Sequence, residues 1–302
     1  MKIDSLSWIA LLSCSLIWGS SFVLIKTAGL GLNPYQVAAV RLSVAGLCLL
    51  PWSVASIRRR GLANIQWRNL IIAGATGNFI PYFLFPIAMA DSRVSSGVAG
   101  ILNAMTPLFA LVIGVVFFQT QARWNAYAGI ALALSGALVI VFFRSSGEDA
   151  ATNAHWAWGL LPLVATALYG WNGNHVKQWL GDYAPIEIAA LSLGLCAIPA
   201  LAVLLWMPPA TSGWPPLVVQ SLGAAAILGM ICTALAVWLI FILIQRTNVL
   251  FASTVTYFST IVALGWAYRQ AEPLGIPHAV GVGCILGGVW LANASVFRRW
   301  GN

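Results

Sequence analysis

Apolar runs of about 20 residues follow one another along the whole chain, each long enough to cross a bilayer as a helix. Short polar, proline- or glycine-bearing stretches separate them. A tilted membrane strand needs about half that length and alternates with period two, and neither feature is present. The pattern predicts ten helices, over residues 7–27, 34–54, 69–90, 95–118, 124–143, 156–178, 185–206, 217–244, 249–268 and 275–297.

Polar interruptions in these runs recur. Leu16 to Lys26 reads LIWGSSFVLIK, and 151 residues later Ala167 to Lys177 reads ALYGWNGNHVK. Trp18-Gly19 falls on Tyr169-Gly170, Lys26 on Lys177, Pro34 on Pro185, and Ala38-Ala39 on Ala189-Ala190. With loop-sized drift in the offset, Asn78 falls on Thr233, Gly100 on Ser253, Asn103 on Thr256, Pro107 on Thr260, and Gly129 and Gly136 on Gly281 and Gly288. The chain therefore contains one five-helix unit twice, over 1–143 and 156–302, joined by an exposed linker at 144–155. Five is odd, so the second unit enters the membrane from the opposite face. The expected fold is all-α and integral to the membrane, with ten transmembrane helices as two inverted five-helix repeats. Inverted repeats suit alternating access, because one pattern in two orientations can exchange two packings.

Composition agrees with the pattern: hydrophobic residues make up 60% and charged residues 7% of the 302. A net charge of +8 would suggest nucleic acid in a soluble protein. Here its position decides instead, and no nucleic-acid partner is expected. With the N-terminus inside, Lys2, Arg58, Arg59, Arg60, Arg68, Arg123, Lys177, Arg246, Arg298 and Arg299 lie on the cytoplasmic side. Lys26, Arg93, Arg144 and Arg269 lie outside. That bias predicts a multi-pass protein of the cytoplasmic (inner) membrane with both termini cytoplasmic. The five cysteines, Cys14, Cys48, Cys196, Cys232 and Cys284, all lie in apolar runs and read as small buried hydrophobes. The first apolar run is long and leads straight into the polar motif, which reads as a retained helix rather than a cleaved signal.

Several of these features together resemble the drug/metabolite transporter superfamily, in its ten-helix EamA-type branch. They are Trp18-Gly19-Ser20-Ser21-Phe22, the Pro34 to Arg41 segment, Pro107 in the fourth helix, and Glu272-Pro273 followed by Gly281 and Gly288. The resemblance covers nearly the whole chain and both repeats, and it implies outward movement of small metabolites. Two positions depart from it. The acidic residue expected after the fourth helix is replaced by Gln119-Thr120-Gln121, and the ninth-helix proline is Thr260.

A transporter needs polar groups on one face of an apolar helix. Ser253, Thr256, Tyr257 and Thr260 fall at i, i+3, i+4 and i+7, and Gly100, Asn103 and Pro107 form the matching stripe. Asn78 and Tyr82 share a face of the third helix, where Pro81 and Pro86 are expected to kink it. Trp171, Asn172, Asn174 and His175 form a polar cluster in the sixth, where Gly170 and Gly173 would permit bending. The substrate-binding candidates are Arg41, Asn78, Tyr82, Asn103, Trp171, Asn174, Trp238, Thr256 and Tyr257. Alternatives stay open: His175 reads as an interfacial anchor, and Trp238 either lines the cavity or faces lipid. Arg41 lies about 10 Å along its helix from Pro34. It either bonds helix carbonyls or meets a substrate carboxylate. Glu187, in the first turn of its helix, reads as an interfacial carboxylate, and Lys26 and Lys177 as snorkelling cations.

No phosphate-binding glycine loop is present, so ATP does not drive transport through this chain. No mid-membrane carboxylate pair offers proton coupling, and the scattered His155, His175 and His278 do not make an enzyme site. No cofactor and no metal are expected. The partners expected are a small-molecule substrate and the lipid bilayer; a homodimer is compatible with the sequence. Aromatic rings mixed with Asn and Thr favour an amino acid or related amphipathic compound. Nucleosides, sugars and drug-like cations remain alternatives within transport, and a membrane enzyme or ligand sensor outside it.

Overall fold

Capping residues open the first helices. The Asp4 carboxylate accepts from the Ser7 amide at 3.0 Å and starts α1, Ser5–Ala28. Asn33 and Gln36 form a reciprocal capping box that starts α2, Pro34–Arg60, with Pro34 in its first turn. The computed structural model describes residues 4–90, 94–120, 124–142, 156–209, 215–247, 249–271 and 275–297. The remaining helices are α3 Trp67–Ala90, α4 Ser96–Phe118, α5 Trp124–Phe142, α6 Trp156–Trp179, α7 Pro185–Trp206, α8 Pro216–Arg246, α9 over 249–269, and α10 Ile276–Phe297. The protein is all-helical and spans the membrane several times, and six of these helices are long and apolar enough to cross a bilayer on length and composition alone. The 144–155 linker, Glu272-Pro273, Gln121, Lys2, Arg93, Arg123, Arg144, His155, Arg298 and Arg299 lie outside the described residues.

The helices pack in pairs that the repeat relates to one another. α2 lies along its counterpart α7, and α5 along its counterpart α10. α1 packs on α9 as α6 packs on α4, and α1 packs on α8 as α6 packs on α3. Glycines set two of these crossings. A Cβ on Gly19 would stand 2.5 Å from the Ser259 carbonyl oxygen, and one on Gly170 would stand 2.6 Å from the Ala110 nitrogen. Close approach of this kind is how membrane helices associate where no hydrophobic force separates protein from lipid. At Gly170 α6 is an unbroken helix, and contact with α4 requires the glycine.

Irregular backbone is repeated as faithfully. α3 contains a π-helical turn at Ala75–Phe79 and α8 another at Met230–Leu235, and the counterparts Asn78 and Thr233 sit inside them. The break expected at Pro81 and Pro86 is therefore a widened turn just before Pro81. α4 is interrupted between Asn103 and Thr106, and α9 at Thr254. Both of these helices end in a left-handed residue, Gln119 at φ 54° and Ala271 at φ 51°. In each interrupted helix the first part packs against the second part of the other. Large apolar side chains such as Ile198, Leu205, Trp206 and Trp290 stand exposed on the outer surface, as lipid contact requires.

Candidate functional site

Where the two repeats meet, α1, α2, α3, α4, α6, α8 and α9 surround a cavity of about 90 Å³. Much of the lining is paired through the repeat. Trp18 corresponds to Tyr169, Ser21 to Asn172, Phe22 to Gly173, Tyr82 to Val237, Phe85 to Ile240, and Asn103 to Thr256. The Phe85 and Tyr169 rings lie nearly parallel, 6.3 Å apart.

The pairing fails toward one end. Phe241, Ile244, Val249, Ala252 and Ser253 line the cavity, but their counterparts Pro86, Met89, Ser96, Ala99 and Gly100 do not. The cavity therefore runs to the C-terminal end of α8 and the start of α9; toward the opposite end Ile25 lines it, but Gly100 and Ala263 do not. There the Thr260 hydroxyl shares its one proton between the Gly100 carbonyl at 2.8 Å and the Thr256 carbonyl of its own helix at 2.7 Å, and a Cβ on Gly100 would stand 2.5 Å from Ala263 Cβ. The equivalent pair toward the other end, Ser253 and Ala110, both line the cavity. Thr260 stands where the first repeat has Pro107, so the departure from proline supplies a donor that helps seal one end.

Arg41 lies mid-helix and is 3% exposed. Its Nε donates to Thr233 Oγ1 at 2.7 Å, and the guanidinium carbon stands 3.7 Å above the Tyr82 ring centre. Nη2 reaches the Cys232 carbonyl at 3.4 Å, and the Trp18 indole donates to that same oxygen at 3.1 Å. The π-helical turn frees this carbonyl from the regular ladder, so one backbone oxygen ties Trp18 to Arg41. Among the described residues no carboxylate lines the cavity. Two buried amides in its lining are also left open: both side-chain atoms of Asn78 and Oδ1 of Asn172 lack a hydrogen-bond partner. The Asn172 amide presses on Gly77, next to Asn78.

Of the nine residues expected from sequence, Arg41, Asn78, Tyr82, Asn103 and Thr256 come together on the cavity. The other four do not line it. Trp171 packs edge-on against Phe117 and Phe118, with ring centres 5.2 and 5.4 Å away. Asn174 donates to the Ala110 carbonyl at 2.8 Å and to Gly170 at 2.9 Å, fastening α6 to α4. Trp238 borders a shallow surface cleft with Leu6 and Pro185 and is 38% exposed. Tyr257 is partly buried outside the cavity lining. The sequence reading missed Tyr169 and Asn172 on the second copy. Tyr169, Asn172 and Gly173 lie at i, i+3 and i+4, the same face as Trp18, Ser21 and Phe22. Trp171 and Asn174 are turned from Asn172 by about 100° and 200° at 3.6 residues per turn.

One end of the bundle carries the described cytoplasmic-type charges. Arg59 and Arg60 both pair with Glu187, Arg60 at 2.8 Å. Arg246 pairs with Asp4 at 3.0 Å, and Lys177 donates to the Ile244 carbonyl, also at 3.0 Å, with Gln245 just beyond. The cavity lining reaches toward this end at Ile244, whose carbonyl holds Lys177. Glu187 is a buried ion-pair partner here, and Lys177 caps α8. His175 Nε2 lies 3.1 Å from the Asn69 carbonyl, outside the cavity.

The model of the EamA-like transporter family matches the chain twice, over residues 6–142 and 156–294. The chain is 26% identical to a protein of Streptantibioticus cattleyicolor named "Probable terminal-alkyne amino-acid exporter", over 99% of this chain and 97% of that one. It is 25% identical to an "Uncharacterized transporter" of Archaeoglobus fulgidus, over 94% and 97%. A WAT1-related protein of Arabidopsis thaliana is 26% identical, over 94% and 88%. One solved crystal structure superposes with a TM-score of 0.67 over 98% of both chains; at 17% identity it speaks to the fold alone.

Proposed function

The chain belongs to the EamA-like transporter family of the drug/metabolite transporter superfamily, and from that premise we propose that it exports amino acids or closely related amphipathic metabolites by alternating access. One observation supports the reading: the cavity lies where the two repeats meet, and Phe241, Ile244, Val249, Ala252 and Ser253 line it while their repeat counterparts do not. In the exchanged state Met89, Ser96, Ala99 and Gly100 would line the cavity, and Ile244, Val249, Ala252 and Ser253 would close. Substrate contact falls to Arg41, Asn78, Tyr82, Asn103, Asn172 and Thr256, walled by Trp18, Phe85 and Tyr169. The amino-acid export named for the Streptantibioticus relative supports this substrate class.

The same reading divides the chain into repeats at 1–143 and 156–302 and sets it in the cytoplasmic membrane with both termini inside. The basic residues gathered around Asp4, Arg60, Lys177 and Arg246 support that orientation. The cavity then reaches toward the cytoplasm, where an exporter loads. No substrate movement for any of a broad metabolite panel in proteoliposomes, with binding retained, would sink the transport reading and leave a sensor.

A further inference from the structure

We propose that the cavity selects a monoanion, a carboxylic acid whose second polar group is an uncharged amide, over the zwitterion of a free amino acid. The inference rests on the cavity being the transport site. A free amino acid brings one carboxylate and one ammonium. The lining answers the first with Arg41 and, among the described residues, offers no carboxylate for the second.

Arg41 is engaged on one side only. Nε goes to Thr233 and Nη2 to Cys232, the cation's face rests on Tyr82, and among the described residues Nη1 makes no hydrogen bond. A guanidinium held in this way presents a pre-set edge to a carboxylate. In a site of low dielectric, an uncompensated cation favours a partner of single negative charge, and added positive charge opposes binding. The basic residues nearby work in the same direction, since Lys177 and Arg246 stand at the end toward which the cavity reaches.

The second polar group is read from the open amides. Asn78 is 1% exposed and offers both a donor and an acceptor without partners, and Asn172, 8% exposed, offers a further acceptor beside it. A secondary amide, with one N–H and one C=O, satisfies such a pair; an ammonium satisfies only the acceptors. Around them Trp18, Phe22, Tyr82, Phe85 and Tyr169 supply apolar wall for an aliphatic or aromatic side chain. N-acyl amino acids and small peptides capped at the N-terminus have this chemistry.

Four leucine derivatives separate the charge at each end: N-acetyl-L-leucine, L-leucine, L-leucinamide and N-acetyl-L-leucinamide, of which the two N-acetyl forms differ from each other only in the carboxylate. Thermal stabilisation of the purified protein and flux in proteoliposomes are measured with each. We expect N-acetyl-L-leucine to act at about tenfold lower concentration than L-leucine, and both amides to be inert. Arg41→Gln should bring the anion down to the level of N-acetyl-L-leucinamide. If Arg41→Gln fails to fold, the wild-type series still decides. Equal action by the neutral amide, preference for L-leucine over its N-acetyl form, or no stabilisation by any of the four would overturn the inference. Stabilisation by the anion without flux would support it while removing the transport reading. Flux of L-leucinamide equal to that of the anion would keep transport and remove the inference.

Discussion

Asn78 and Thr233 hold the same place in the two repeats, yet only Thr233 is bonded. Its hydroxyl donates to the Leu228 carbonyl at 2.9 Å and accepts from Arg41 Nε at 2.7 Å, whereas neither atom of the Asn78 amide has a partner. The cause lies one helix away. Arg41 of α2 corresponds to Ser192 of α7, whose short hydroxyl turns back to the Ala189 carbonyl. The second repeat fills its π-helical turn with an internal bond, and the first leaves its amide facing the cavity.

That difference separates two substitutions. Asn78→Ala removes a polar group that makes no bond in the protein, so the melting temperature should hold or rise. Uptake should fall about tenfold through the loss of one or two substrate hydrogen bonds. Thr233→Val removes the acceptor of a buried cation and should destabilise by about 1–3 kcal/mol. Melting curves of the purified variants beside flux at equal protein check both. A matched loss of stability in Asn78→Ala would mean that its amide is structural.

The sealed end gives a test of direction. Thr260→Val keeps the shape of the side chain and removes the donor to the Gly100 carbonyl. A bond worth about 1 kcal/mol then shifts the balance of the two states about fivefold away from the one seen here. A single cysteine at Ser253, which lines the cavity, reports the shift: a small thiol reagent should label it readily in the wild-type background, and Thr260→Val should slow that labelling. An unchanged labelling rate would show that the hydroxyl does not hold this end closed.

Trp171 and Asn174 were legible as polar residues in a membrane helix, but their direction was not. Trp171 sits on Phe117 and Phe118, and Asn174 fastens α6 to the Ala110 carbonyl. Trp171→Ala and Asn174→Leu should therefore lower stability by about 1–3 kcal/mol and leave the apparent affinity for substrate unchanged in the protein that remains folded. A rise in KM without loss of stability would return them to the cavity.

The fold was readable because lipid makes it so: long apolar runs must be helices, and an odd repeat must invert. The repeat also brought out part of the cavity lining, since the counterparts Asn103 and Thr256 both line it. What composition hid was backbone. The turns around Asn78 and Thr233 are π-helical, and that widening turns the Cys232 carbonyl toward Trp18 and Arg41. Asn172 was hidden for another reason. Its neighbours Trp171 and Asn174 look equally functional in sequence, and only its pairing with Ser21 tells it apart.

The clamp between α2 and α7 repeats at both ends with different chemistry. At one end Gln36 caps Asn33 and its amide donates to the Met207 and Pro208 carbonyls at 3.2 and 3.1 Å. At the other its counterpart Glu187 caps the Ala184 amide and holds Arg59 and Arg60, while the Arg60 guanidinium also covers the Tyr183 ring at 3.8 Å. Glu187→Gln thus imports the first repeat's own residue. It keeps an oxygen for the cap but leaves two arginines without their carboxylate. Because the arginines are partly exposed, the cost should be about 1–2 kcal/mol, well below that of a fully buried pair. Salt should lower wild-type stability more than that of the variant, since only the wild type has this charge attraction to screen. Melting curves at low and high ionic strength measure both effects. Equal salt slopes in the two proteins would show that the cap, and not the ion pair, joins the helices at this end.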